Sequence, residues 1–80
     1  MPKIRHLRGK ELVRILESFG FILSRQKGSH IILKRVLPDG EQIILVPNHT
    51  EIDRGTLSSI YKKMLIYVDE VEIKKFFYTE

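Results

Sequence analysis

The sequence contains no cysteine. Disulfides and thiolate metal sites are therefore excluded, and nothing in the chain calls for an oxidising compartment. Long apolar runs are also missing. No stretch approaches the roughly 20 residues of a membrane span, and the charges scattered from Met1 to Lys10 leave no room for a signal-peptide core. The expectation is a soluble, cytoplasmic protein with no membrane partner. There is no glycine-rich nucleotide loop, no internal repeat, no low-complexity segment and no site-like pair of carboxylates. The three histidines, His6, His30 and His49, stand too far apart in the sequence to read as a metal cluster. No metal and no cofactor are expected. The 80 residues read as one domain, 1–80, and a chain this short hides only about 60% of the surface that it exposes unfolded.

Acidic residues are scarce in the first half. Residues 1–35 carry nine Lys or Arg against Glu11 and Glu17 alone, a balance of +7. The remainder has five basic and eight acidic residues, a balance of −3, which together make the formal net charge of +4. One basic half suits a polyanionic partner, because phosphate-backbone attraction scales with clustered cations. A solvated basic surface is the plainer explanation, so the charge needs a site to point to.

Leu12, Val13, Leu16 and Phe19 recur at i, i+3 or i+4 and predict a helix from about Gly9 to Phe19, ended by Gly20 as a left-handed residue. Lys10 and Arg14 fall on its outer face. Phe21 and Leu23 then alternate with Ile22 and Ser24 in a strand to Gln26, and a turn at Lys27-Gly28 leads into a second strand from His30 to Val36. Leu37-Pro38-Asp39-Gly40 is a turn signature before a third strand, Glu41 to Val46. Asp53 is placed to cap a helix built on Leu57, Ile60, Tyr61, Met64 and Leu65. Asp69 to Tyr78 reads as a last short helix, with acids in its first turn and Lys74 and Lys75 later. The expected fold is α+β, in the order α-β-β-β-α with a short C-terminal helix: a three-stranded antiparallel sheet with helices on one face. Ile31-Ile32-Leu33 and Ile43-Ile44-Leu45-Val46 are apolar on both strand faces, so part of the second face, or an edge, is expected to be covered by another chain.

The chemistry gathers in Arg25-Gln26-Lys27-Gly28-Ser29-His30, which places cations, a tight turn, a hydroxyl and an imidazole in one hairpin. Gly28 can take the positive φ that such a turn needs. His30 opens an apolar strand and is therefore held on a sheet, and histidine, with an unperturbed pKa of about 6.5, both takes and gives a proton near neutrality. Ser29 is a candidate phosphate contact, although a serine beside a turn glycine commonly serves the turn. His49, in the polar loop Pro47 to Asp53, is the candidate secondary acid, and a loop histidine commonly bonds backbone or solvent instead. His6 has no evident role.

Gly9-Lys10-Glu11-Leu12 with Leu16, Gly20-Phe21, Arg25 to His30, Val46-Pro47-Asn48-His49, and Gly55-Thr56-Leu57 with Ile60 form an ordered set spanning residues 9 to about 66. In that set the chain resembles the HicA-type toxins, the mRNA-cleaving half of prokaryotic toxin–antitoxin pairs. The resemblance implies a fold like a double-stranded-RNA-binding domain, metal-independent endoribonuclease (mRNA interferase) activity dependent on the histidine at His30, and a HicB-type antitoxin partner in a heteromeric complex. Duplex binders place lysines at the start of the last helix, where this chain has Gly55-Thr56-Leu57-Ser58-Ser59. Single-stranded or locally unpaired RNA approaching His30 is the expected substrate, contacted by Lys10, Arg25, Lys27, Gly28 and Ser29. A non-catalytic nucleic-acid-binding or adaptor module of the same fold is the alternative. Residues 1–8 and 67–80 carry no assigned role.

Overall fold

The structure, a computed structural model, describes residues 3–79. Its elements are β1 (Lys3–Ile4), α1 (Gly9–Ser18), β2 (Ile22–Lys27), β3 (His30–Leu37), β4 (Gly40–Pro47), α2 (Arg54–Tyr67), α3 (Glu70–Phe77) and β5 (Tyr78–Thr79). The main sheet is antiparallel in the order β2-β3-β4, as the sequence implies, with the core on one of its faces.

The helix ends follow from local chemistry. The Arg8 N–H donates to Glu11 Oε1 at 2.9 Å and so satisfies one of the donors that a helix leaves free at its start. Gly20 takes φ 95°, and the Gly20 and Phe21 amides donate to the Glu17 and Leu16 carbonyls, the pairing of a Schellman stop. That stop sends Phe21 into the core beside Leu12 and Leu16. In α2 the cap is Asp53, which accepts from the Thr56 N–H at 3.0 Å and from its hydroxyl at 2.7 Å.

The Thr56 bonds, the hydroxyl's foremost, lower the Asp53 carboxyl below its ordinary value near 3.8. A carboxyl lowered by folding stabilises the fold above its unfolded pKa and loses that contribution as pH falls through the folded one. Melting temperature measured from pH 5 to pH 2.5 should therefore fall less in Asp53→Asn than in the wild type. Equal slopes would show that the cap contributes nothing through its charge.

The inner sheet face, Ile31 and Leu33 of β3 with Ile44 and Val46 of β4, packs under the helices together with Leu57, Ile60, Tyr61 and Met64 of α2. The last helix is shorter than the predicted Asp69 to Tyr78 and docks by Ile73 and Phe77, both fully buried. Phe76 meets Phe19 edge-on at 5.7 Å between ring centroids, and Phe77 lies 5.3 Å from Tyr61. β1 and β5 pair with each other, so Tyr78, read from the sequence as the end of the last helix, is the first residue of a short strand instead. Lys3 aligns with Thr79 and Ile4 with Tyr78, and the Arg5 amide donates to the Phe77 carbonyl at 2.7 Å.

Arg35 departs from the reading of the basic half as one polyanion surface. It lies on the inner face, where Nη1 donates to the Phe19 carbonyl at 2.8 Å, Nη2 to the Tyr67 carbonyl at 3.2 Å and Nε to Gln42 Oε1 at 2.7 Å. Its guanidinium also stands 5.0 Å over the Phe21 ring. Those carbonyls belong to the ends of α1 and α2, so one side chain closes both helices. Arg5 is similarly engaged, by the Phe76 carbonyl.

Candidate nucleic-acid interface

Strand register defines what stands on the outer face of the sheet. Lys27, His30 and Pro47 align across β2, β3 and β4; the next rank is Arg25, Ile32 and Leu45; the one after it is Ile22, Lys34 and Ile43. Directly opposed residues share a face, and ranks two residues apart lie about 7 Å from one another. Arg25, Lys27 and His30 therefore occupy one patch, and all three are exposed.

The turn differs by one residue from the expectation. Its central pair is Gly28-Ser29, not Lys27-Gly28, so Lys27 and His30 face each other as the last strand pair and Ser29 lies in the turn itself, not on the second arm. Gly28 takes φ 59° at the first central position, as a type II′ turn requires. Gln26 Nε2 donates to the Gly28 carbonyl at 3.1 Å and braces the turn from β2.

Arg25 reaches the His30 side because of a β-bulge. The register shifts between Leu23 and Arg25, which leaves Ser24 as the extra residue. Strict alternation would set Arg25 on the same face as Phe21 and Leu23. With the bulge, Phe21 points into the core and Arg25 points outward beside His30. No sequence period reveals such an insertion.

Two backbone bonds join the hairpin to the rest of the patch. The Asn48 amide donates to the Ser29 carbonyl at 2.6 Å, and the Gly9 amide donates to the His49 carbonyl at 2.8 Å. The loop carrying His49 is thus tied to the turn before His30 on one side and to the start of α1 on the other. Lys10 follows Gly9 and is exposed. The fold brings Lys10, Lys27, Gly28, Ser29, His30 and His49 to one end of the molecule, with Arg25 one rank away. Among the described residues the His30 ring has no hydrogen-bond or ion-pair partner, whereas His6 contacts Glu51 at 3.2 Å and Lys34 approaches Glu41 at 3.7 Å. Sequence reasoning overlooked Asn48 and the contact at Gly9. The Gly9-Lys10-Glu11 and Pro47-Asn48-His49 strings were visible, but their meeting depends on chain segments almost forty residues apart.

The same outer face is apolar where it is not basic. Ile43 and Leu45 are about half exposed, at 48% and 47%, and Ile22 and Val36 are more open at 62% and 64%. Among the described residues no helix covers this side, so the apolar residues on the second strand face stand open. No helix among the described residues is long and apolar enough to cross a membrane.

Residues 9–66, more than half of the chain, match the model of a family described as the HicA toxin of bacterial toxin–antitoxin. No curated protein matches.

Proposed function

Because the chain belongs to the HicA toxin family of bacterial toxin–antitoxin systems, we propose that it acts in the cytoplasm as a metal-independent mRNA endoribonuclease with His30 as general base. The observation that carries this reading is the placement of His30: an exposed imidazole, unengaged among the described residues, held at the first position of a central strand directly across from Lys27. A rigid base beside a cation is what intramolecular RNA cleavage needs, since the substrate brings its own nucleophile, the 2′-hydroxyl. His30 takes the 2′-hydroxyl proton as the oxygen attacks phosphorus, and Lys27 and Arg25 stabilise the charge growing on the phosphorane oxygens. The P–O5′ bond then breaks, leaving a 2′,3′-cyclic phosphate and a 5′-hydroxyl. His49, tethered to the same turn through Asn48, is the candidate donor to the departing 5′-oxygen. Ser29, the Gly28 backbone and Lys10 are the remaining phosphate contacts, and they suit a single strand.

A toxin of this family has an antitoxin partner. We assign a HicB-type antitoxin to the outer sheet face, where Ile22, Val36, Ile43 and Leu45 would be covered and Arg25 and Lys27 would meet acidic groups. Antitoxin and RNA would then compete for one surface, and inhibition follows from occupancy alone. An adaptor without catalysis would use the same face, so the activity has to be tested directly.

The antitoxin-free protein should cleave single-stranded RNA in the presence of a chelator, and should leave an all-DNA strand of the same sequence intact because DNA lacks the attacking hydroxyl. A single 2′-deoxy substitution at the cleaved position should block that cut. Cleavage of DNA, or cleavage abolished by chelation, would sink the mechanism; RNA binding with no cleavage would favour the adaptor.

A further inference from the structure

We propose that Gly9 is a positioning residue for the His30 site, and that the side chain it lacks is what allows α1, the His49 loop and the hairpin turn to close on one another; the inference rests on the ribonuclease reading above. Gly9 is buried although it opens a helix. Its φ lies outside the left-handed region that Gly20, Gly28 and Gly40 occupy, so backbone freedom is not the reason for glycine here. Space is the reason. A Cβ at this position would stand 2.5 Å from the Pro47 carbonyl oxygen, 2.9 Å from Asn48 Cα and 3.1 Å from the His49 nitrogen. All three are backbone atoms, which cannot swing aside as a flexible side chain would.

This close approach starts a relay of two backbone bonds, from the Gly9 amide to the His49 carbonyl and from the Asn48 amide to the Ser29 carbonyl. Every member of the site except Arg25 and Lys27 sits on that relay or next to it: Lys10 follows Gly9, His49 supplies a carbonyl, and His30 follows Ser29. One added methyl group must move α1 and the loop apart by at least about half an ångström to relieve a 2.5 Å contact. The displacement passes to the backbone that ties the His49 loop to the turn before His30. Misplacement on the order of 1 Å in a reacting geometry costs about 10²-fold in rate. RNA affinity is affected much less, because Arg25 and Lys27 are fixed by their own strand pairing.

The test compares Gly9→Ala with Gly55→Ala. Gly55 is also at the start of a helix, but its nearest neighbour for a Cβ is Asp53 Oδ2 at 3.4 Å, an ordinary contact. On a defined RNA strand, Gly9→Ala should lower kcat about 10- to 100-fold with KM within about threefold, and should change the shape of the pH–rate profile. Gly55→Ala should leave all of these as in the wild type. The imidazole NMR signals of His30 and His49 should shift in Gly9→Ala and stay fixed in Gly55→Ala. Wild-type kcat or unchanged imidazole signals in folded Gly9→Ala overturn the proposal. If that variant does not fold, Asn48→Pro decides, since it removes the N–H given to Ser29 while leaving α1 untouched: the same kcat loss is expected, and full kcat overturns it. Imidazole shifts in Gly9→Ala alongside a wild type that cleaves no RNA would uphold the positioning and overturn the ribonuclease reading alone.

Discussion

His30→Ala should give a folded protein that still binds RNA but no longer cleaves it. The side chain is exposed and makes no contact that a core would miss, so its removal is expected to change stability by less than about 0.5 kcal/mol. A positioned proton acceptor is worth roughly 10²–10⁴ in rate, and under the proposed mechanism the loss should be at the upper end, since His30 is the imidazole that the hairpin presents beside Lys27. Binding should persist, since Arg25 and Lys27 keep their places in β2 and phosphate attraction is the sum of such charges. Antitoxin binding should persist too if the partner reads the whole outer face. Melting temperature, RNA affinity, cleavage rate and antitoxin binding measured on one preparation separate the outcomes. A folded variant that cleaves at near the wild-type rate removes His30 from the mechanism, and a variant that fails to fold assigns it to structure. Loss of cell toxicity with retained binding is the pattern expected in vivo.

Arg35→Met should be the most damaging single change outside the apolar core. Methionine keeps the aliphatic stem but leaves the Phe19 and Tyr67 carbonyls and Gln42 Oε1 without the donors that reach them at 2.8, 3.2 and 2.7 Å. Each half-buried acceptor abandoned in this way costs on the order of 1 kcal/mol or more, so about 3 kcal/mol is expected in total. A domain of this size has roughly 4–12 kcal/mol of stability, and 1 kcal/mol corresponds to about 4–8 °C. The melting temperature should drop by about 12–24 °C. Arg35→Lys should recover little of this, because a single ammonium cannot span three acceptors that a planar guanidinium reaches together. A fall of less than about 5 °C in Arg35→Met would show that water replaces the guanidinium at the helix ends. Arg25→Met offers the contrast: the same chemical change on the outer face should weaken RNA binding and leave the melting temperature near that of the wild type.

The contrast between those two arginines marks how far the sequence could be read. Both belong to the same basic half, and nothing in their immediate neighbours says that one stands exposed on the outer sheet face and the other turns to the interior. Arg35 is drawn inward by carbonyls 16 and 32 residues away. Arg25 is turned outward by one extra residue, Ser24, whose effect depends on pairing with β3.

What the sequence determined by itself was local in origin. The apolar stripe of α1, its stop at Gly20, the Pro38-Asp39 turn, the Asp53 cap and the position of His30 at a strand start each follow from contacts within a few residues, where propensity and periodicity act. The HicA signature was legible for the same reason, since its strings are short and ordered. Only the tertiary structure decided what lies between those strings: the Ser24 bulge, the inward course of Arg35, the pairing of β1 with β5, and the closure of Gly9 on the loop that carries His49. These depend on atoms brought together between strands or between distant segments, from the pairing of β2 with β3 at the bulge to that of Lys3 with Thr79 at the ends, and the packing of the assembled chain, not the preference of any one segment, selects them.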